Sequence, residues 1–315
     1  MIPGAAAGRM AAMDPELEPF VPLIPRPDYA DPVAERATTA RLVASLPAPD
    51  TSAMRVTDRL VTADPDVPVR IYRPEEARGA IVWLHGGGGI VGDLDTEHPS
   101  AARLAEASGA LVVSVGFRLA PEHVFPAALD DAYAVLRWLA DSADELGVDP
   151  GRIAVGGMSA GGGLAAAMTL RARDEDGPLI RCQLLNQPML DDRRHTWSAR
   201  AFTRTPRLDA ENLAVIWGAN LGATPATPYA APARATDLSN LPPAYIATAE
   251  FDPLRDEGIA YAVRLLQSGV SVELHQWPGT FHGSQAILSA QVSQRQNAEL
   301  AAALRRALET SGPPG

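Results

Sequence analysis

Short apolar runs and amphipathic stretches alternate along most of this chain. Met54–Val61 and Val69–Tyr72, joined across Ala63-Asp64-Pro65-Asp66, predict two extended strands and a turn. Ala80–Leu84, Ala110–Val115 and Ile153–Val155 are short and rich in Val and Ile, as strands covered on both faces are. Leu184–Leu185, Tyr245–Ala247 and Val272–Gln276 mark further strands. Between them, helical spacing runs through Ala101–Ser108, Ala127–Glu145, Gly162–Arg173 and Asp256–Ser268, and Gln285–Glu309 reads as a long closing helix. Strands alternating with helices predict βαβ units and a mostly parallel sheet in an α/β fold.

Two regions break that rhythm. Asp14–Pro49 reads as two short helices separated by Pro-rich punctuation, with Asp31 as cap and Pro32 as first turn of Val33–Leu46. From Met189 to Leu241 strand signals vanish, prolines crowd in, and one helix is expected around Ala210–Asn220. The division expected is therefore 1–50 as N-terminal cap helices, 51–190 with 242–315 as the α/β unit, and 191–241 as an inserted cap segment. Residues 1–12 read as an upstream extension or tag ahead of Met13.

The densest chemical signal is Gly157-Met158-Ser159-Ala160-Gly161, between the strand RIAV and the helix GLAAAMTLRAR. A G-x-S-x-G sequence in a strand–turn–helix setting pushes its serine above the carboxyl edge of a sheet. The helix start places the Ala160 N–H at the same spot, where the positive helix end favours an anion. A glycine-rich helix start with a capping serine is the plainer explanation. A second motif, His85-Gly86-Gly87-Gly88, comes directly after the strand AIVWL. Its glycines allow close backbone approach, so the N–H groups of Gly87, Gly88 and Ala160 are candidate donors to an oxyanion. The looser dinucleotide pattern Gly87–Gly92 is not followed by a helix signal, and a Walker loop would need the lysine this chain lacks. His85 is expected to brace the loop rather than act as a base.

A serine nucleophile needs a base and a residue to orient it, and the hydrolase chain order is nucleophile, acid, histidine. His282, in Gly279–Ser284 between the last strand and the closing helix, is the favoured base over His195 and His275. Asp252, at the end of AYIATA, is the favoured acid over Glu250 and Asp256, and a helix cap before Pro253 is its structural alternative.

Charge and cysteine usage narrow the classes. With 27 Lys+Arg, all of them arginine, against 38 Asp+Glu, the net charge of −11 gives no pull toward nucleic acid or an anionic membrane. No apolar run approaches a membrane span and no secretory signal is legible, so a cytoplasmic protein is expected. Cys182, the single cysteine, lies in an apolar stretch and is expected to be buried and inert.

These motifs, with Arg118–His123 (RLAPEH), Asp252–Gly258 (DPLRDEG) and Phe281–Gly283 (FHG), resemble the hormone-sensitive-lipase-like, bacterial family IV carboxylesterases. The resemblance spans roughly Val82 to Gly283. It implies an α/β-hydrolase fold, with a mostly parallel eight-stranded sheet flanked by helices and a helical cap. It implies a Ser159–His282–Asp252 triad, an oxyanion hole of Gly87, Gly88 and Ala160, and no metal or other cofactor. It also implies a small-molecule ester substrate and a homodimer through the last strand and helix. Two departures from the family are Met158, where an acidic residue is common, and Phe117, where a Tyr is. An Arg118–Glu122 pair is expected to brace the HGGG loop. Met158, Trp197, Phe202 and Trp217 are candidate pocket walls, with short-to-medium acyl esters as expected substrates. The alternatives are a metabolite deacetylase or amidase with the same triad, and a ligand-binding receptor on this fold, against which His282 argues.

Overall fold

The structure is a computed structural model that describes residues 13–77 and 79–309. The expectation for residues 1–12 lies outside the described residues. In chain order the elements are α1 (Pro32–Ala44), β1 (Met54–Val61), β2 (Val67–Pro74), β3 (Ala80–Leu84), α2 (Leu94–Ser108), β4 (Leu111–Val115) and α3 (Ala127–Asp141). They continue as β5 (Ile153–Met158), α4 (Ala160–Asp174), β6 (Gln183–Asn186), α5 (Trp197–Ala201), α6 (Ala210–Leu221), β7 (Ala244–Phe251), α7 (Arg255–Gln267), β8 (Val272–Phe281) and α8 (Gln291–Glu309).

The eight strands form one sheet in the order β1-β2-β4-β3-β5-β6-β7-β8. β2 runs antiparallel to both of its neighbours, and every pair from β4–β3 through β7–β8 is parallel. This is the α/β-hydrolase architecture. Alternation along each strand serves two cores. Val82 and Leu84 of β3 pack with Leu129 and Leu136 of α3 and with Ala165 and Met168 of α4. Ile81 and Trp83, one residue out of phase, pack with Leu104 of α2 and Leu304 of α8 on the other face. Each Val, Leu, Ile or Met side chain among them contributes roughly 1.5–3 kcal/mol when fully buried.

The strand order reverses between β3 and β5: β4 lies on one side of β3, and β5 on the other. Beyond the carboxyl ends of strands at such a point, an open α/β sheet leaves a crevice. His85–Gly88 leaves β3 there and Ser159 leaves β5 there.

Several expectations need correction. The closing helix does not begin at Gln285: a short 3-10 turn covers Ser284–Ala286 and α8 starts at Gln291. α2 begins seven residues earlier than its apolar pattern, at Leu94. Asp93 accepts from Thr96 N at 2.7 Å and Thr96 Oγ1 accepts from Asp93 N at 2.8 Å, a cap strong enough to carry the helix through Pro99. Arg118 does not pair with Glu122. It grips Asp131 of α3, with Nη2 at 2.7 Å from Oδ1, whereas Glu122 accepts from both Nη1 and Nη2 of Arg36 at 2.8 and 2.7 Å. Asp131 is buried and leaves its charge in need of a partner, while Glu122 is exposed.

The N-terminal segment lies against the inserted one. Arg26 Nε donates to Asp209 at 3.0 Å, and Asn212 Nδ2 donates to Pro27 O at 3.0 Å. Met13 is buried, and Asp14 N donates to Gly279 O at 2.9 Å beside the end of β8. α1 is capped as expected, Asp31 Oδ1 accepting from Ala34 N at 3.1 Å, but it buries none of its residues. Its anchoring is polar, and runs through Arg36.

Candidate active site

Ser159 stands between β5 and α4 with φ 56 and ψ −117. That backbone is unfavourable for an L-residue by on the order of 1–3 kcal/mol and persists only where neighbours hold it. The neighbours are identifiable. Ser159 N donates to Asn186 O at 2.9 Å, and Ser159 O accepts from Gly163 N and Met189 N, both at 3.0 Å. The turn also requires that nothing stand beside it: a Cβ on Gly157 would lie 2.4 Å from Leu84 O.

The turn leaves Ser159 Oγ 3.0 Å from His282 Nε2, and His282 Nδ1 lies 2.7 Å from Asp252 Oδ2. All three residues are buried, Asp252 completely. Asp252 also accepts from Leu254 N at 2.9 Å, so it caps the turn into α7 and orients the imidazole at once. The carboxylate can only accept from Nδ1–H, so Nε2 is left to accept from the serine hydroxyl. The rivals are elsewhere. Glu250 accepts from Gly279 N at 2.7 Å, Asp256 accepts from Ser198 N at 2.8 Å, His275 pairs with Glu273, and His195 is an exposed neighbour of Asp191. β8 runs on to Phe281, five residues past its apolar signal, so His282 directly adjoins the strand end. Gln187, which the sequence did not single out, accepts from Gly283 N at 2.8 Å and pins the residue after the histidine.

The HGGG loop is built from its carbonyls. A peptide unit is planar and trans, so anchoring its C=O aims its N–H the opposite way. His85 Nδ1 lies 2.7 Å from Gly86 O; a carbonyl only accepts, so Nδ1 carries the proton. That bond sets the peptide whose N–H belongs to Gly87. Gly87 O accepts from Ile90 N at 3.1 Å and Val91 N at 3.0 Å, which sets the Gly88 N–H. Among the described residues, no acceptor takes the N–H of Gly87, Gly88 or Ala160. Gly87 has φ +99, and a Cβ there would stand 2.2 Å from Val91 O. Burial pushes His85 down to about 4, so it stays neutral, stacked on Phe117 at 4.1 Å. Such a set of free donors beside an activated hydroxyl suits nucleophilic attack on a carbonyl carbon and capture of the resulting oxyanion.

A cleft between α3, α4 and α6 reaches one of these donors, Ala160. Its walls include Ala160, Gly163, Leu129, Phe125, Met189 and Trp217. Of the four aromatic and Met candidates, Trp217 alone lines it. Phe202 packs edge-on against Phe251 with Arg255 over its ring, Trp197 is 45% exposed, and Met158 Sδ accepts from Gln285 Nε2. Cys182 is buried on the far face of the sheet, with its thiol pushed up to about 12 by burial, which makes it a poor nucleophile. One trio away from the cleft, Glu273, His275 and Glu299, has metal-like spacing, and Arg306 donates to both of its glutamates.

Glu97 of α2 lies beneath the HGGG strand, where its Oε1 accepts from Trp83 Nε1 at 2.8 Å. Burial pushes this carboxyl up to about 7 from an ordinary value near 4.5. The folded state therefore holds the proton more tightly than the unfolded chain. The resulting cost, at most about 3 kcal/mol, is complete above pH 7 and fades as the pH falls toward 4.5. Glu97→Gln keeps the acceptor for Trp83 and removes the charge. It is expected to raise Tm at pH 8 by more than at pH 5; an equal or reversed gain in paired thermal melts contradicts this.

Residues 81–286 match the model of a family described as alpha/beta hydrolase fold. The carboxylesterase NlhH of Mycobacterium tuberculosis is 43% identical over 240 residues, 73% of this chain and 75% of that protein. Ethyl acetate hydrolase of Pseudomonas putida is 38% identical over 224 residues, 69% of this chain and 70% of its own. Among solved structures, a bacterial heroin esterase superposes with a TM-score of 0.90 at 42% identity, covering 96% of this chain and 99% of that one.

Proposed function

Starting from a chain that belongs to the alpha/beta hydrolase fold family, in its hormone-sensitive-lipase-like (bacterial family IV) branch, we propose that Ser159, His282 and Asp252 carry out ester hydrolysis on short-to-medium acyl esters. The chain is a carboxylic ester hydrolase, as are its relatives named carboxylesterase and carboxylic ester hydrolase. The observation that carries the assignment of residues is the unbroken row from Ser159 Oγ through His282 to Asp252, at 3.0 and 2.7 Å.

That row dictates the steps. Ser159 Oγ attacks the ester carbonyl carbon while His282 Nε2 takes its proton, and Asp252 stabilises the imidazolium. The carbonyl oxygen gains the negative charge and accepts from Gly87, Gly88 and Ala160 N–H. Each donor of this kind is worth roughly 3 kcal/mol of barrier. Collapse of the tetrahedral species breaks the ester C–O bond, and the proton on Nε2 leaves with the alcohol. His282 then removes a proton from water, whose oxygen attacks the acyl carbon. The second collapse releases the carboxylic acid and restores the Ser159 hydroxyl. The reaction as written consumes an ester and water and calls on no cofactor.

The residues of 13–50 and 191–241 act as the cap over this site, a role supported by the Arg26–Asp209 and Asn212–Pro27 bonds that join them. Acyl size rests on the cleft, whose inner walls Leu129, Leu164 and Trp217 are bulky and apolar. The relative named ethyl acetate hydrolase points the same way. In a 4-nitrophenyl ester series from acetate upward, kcat/KM is expected to peak at short-to-medium chains. A maximum at long chains with activation at a lipid interface contradicts the proposal.

A further inference from the structure

Four consecutive carbonyls of the HGGG loop are held, and the groups that hold them come from different parts of the chain. Gly87 O is taken by the loop itself, through Ile90 and Val91 N–H. Gly88 O accepts from Asn220 Nδ2 of α6 at 2.6 Å. Gly89 O accepts from Ala120 N at 2.8 Å, and Ile90 O accepts from Arg36 Nε of α1 at 2.8 Å. Two of these four anchors are side chains of the cap, one from its N-terminal part and one from its inserted part. Both reach further into the same neighbourhood. Arg36 Nη2 donates to Ala120 O at 2.9 Å, and Asn220 O accepts from Phe125 N at 2.8 Å.

The orientation of the Asn220 amide is settled by its partners. Nδ2 faces two carbonyls, Gly88 O and Ile216 O at 2.8 Å, and a carbonyl accepts only from the NH₂ end. The other end leaves no slack: a Cβ on Gly89 would stand 2.4 Å from Asn220 Oδ1. Gly88 and Gly89 have φ of +67 and +69, so this stretch of backbone lacks the side chains that would otherwise fix it. Its geometry must come from outside, and the cap supplies it.

We infer that Asn220 and Arg36 are positioning residues through which the seated cap aligns the oxyanion donors. Neither touches the reacting atoms. Asn220 fixes the Gly88–Gly89 peptide, and with it the backbone leaving the Gly88 N–H. Arg36 fixes the far end of the same turn, at Ile90, whose own N–H closes back onto Gly87 O. Cap seating and oxyanion capture are then one event: a displaced cap leaves a loop with free glycine torsions and poorly aimed donors. The inference rests on the oxyanion role proposed for Gly87 and Gly88, and it makes the cap part of the catalytic apparatus rather than only the roof of the cleft.

The test compares wild type with Asn220→Ala, Asn220→Asp, Arg36→Ala and Ser159→Ala on 4-nitrophenyl acetate. Rates are expressed per active site titrated with a phosphonate, and per chain for Ser159→Ala, which has no hydroxyl to titrate. Inhibition by an alkyl trifluoromethyl ketone, which adds to the serine and forms an oxyanion, is measured in parallel. Misplacement by a fraction of an ångström costs up to about 10²-fold. Asn220→Ala is therefore expected to lower kcat by roughly 10- to 100-fold with KM within about two-fold, and to weaken the ketone by a similar factor. Asn220→Asp, which sets a carboxylate oxygen against Gly88 O, is expected to lose more than Ala, and Arg36→Ala to lose kcat in the same sense. Unchanged kcat per titrated site in the Asn220 variants, or a loss carried wholly by KM with ketone affinity intact, overturns the inference. Ser159→Ala separates the two levels: if it retains wild-type turnover, the proposed mechanism itself fails, whatever the Asn220 variants do.

Discussion

His282→Ala is expected to lower kcat on a short acyl ester by about 10⁴–10⁶-fold while the protein stays folded. The size reflects the number of steps that run through one nitrogen. Nε2, 3.0 Å from Ser159 Oγ, accepts the hydroxyl proton, returns it to the alcohol, and later draws one from water. No second base stands ready: among the other histidines after Ser159, His275 is engaged with Glu273 and His195 lies beside Asp191. The fold survives because His282 is held by its neighbours more than it holds them. Gly283 is fixed by Gln187 and Gly279 by Glu250, and neither bond uses the imidazole. Steady-state kinetics with circular dichroism checks this. A loss under ten-fold in folded protein contradicts the assignment of His282.

Gly161→Ala is expected to damage both stability and turnover, for one steric reason. A Cβ at Gly161 would stand 2.1 Å from Leu84 O and 2.5 Å from His85 O. Both are backbone atoms of the strand end that launches the HGGG loop, so no flexible side chain can swing aside. Either α4 lifts away from β3 or the start of the loop moves. The first strains the Ser159 turn and the second moves the N–H groups proposed to hold the oxyanion. A destabilisation of about 3 kcal/mol or more is expected, a Tm drop of roughly 6 °C or more. Turnover falls further than the folded fraction does. Gly218→Ala is the matched control: it lies within α6 with open space around its would-be Cβ, and is expected to be neutral or stabilising by up to about 1 kcal/mol. A Gly161→Ala melt indistinguishable from that of Gly218→Ala contradicts the steric account.

Much of the fold and the site was legible in the chain because the chemistry sits where strands end. Ala80–Leu84 and Ile153–Val155 are apolar runs too short for helices, and each gives way to a glycine-rich stretch, so both motifs could be placed at sheet edges from sequence alone. Asp252 and His282 were legible for the same reason, each lying past a Val-, Ile- or Ala-rich run. Partners set by tertiary contact were not. Arg118 has an acidic residue four positions on, at Glu122, and sequence spacing favours that pair. The fold instead turns α3 so that buried Asp131 faces it. Trp197, Phe202 and Trp217 are alike as residues of a proline-rich insertion, and the packing of α5 and α6 alone decides that Trp217 meets the cleft. Asn220 gave no signal because it binds backbone carbonyls, which every residue has, and Arg36 gave none because its carbonyl partners and Glu122 lie more than fifty residues away in sequence. Gln187 was hidden likewise, its partner being the Gly283 N–H.

The most direct measurement is covalent labelling with a 4-nitrophenyl alkylphosphonate, then peptide mapping by mass spectrometry and assay of the residual esterase activity. The predicted result is one phosphonyl group per chain, located on Ser159, with activity falling in proportion to labelling and no label on Ser159→Ala. Label on another residue, or full esterase activity persisting in protein quantitatively labelled at Ser159, would contradict the claim that this hydroxyl is the nucleophile.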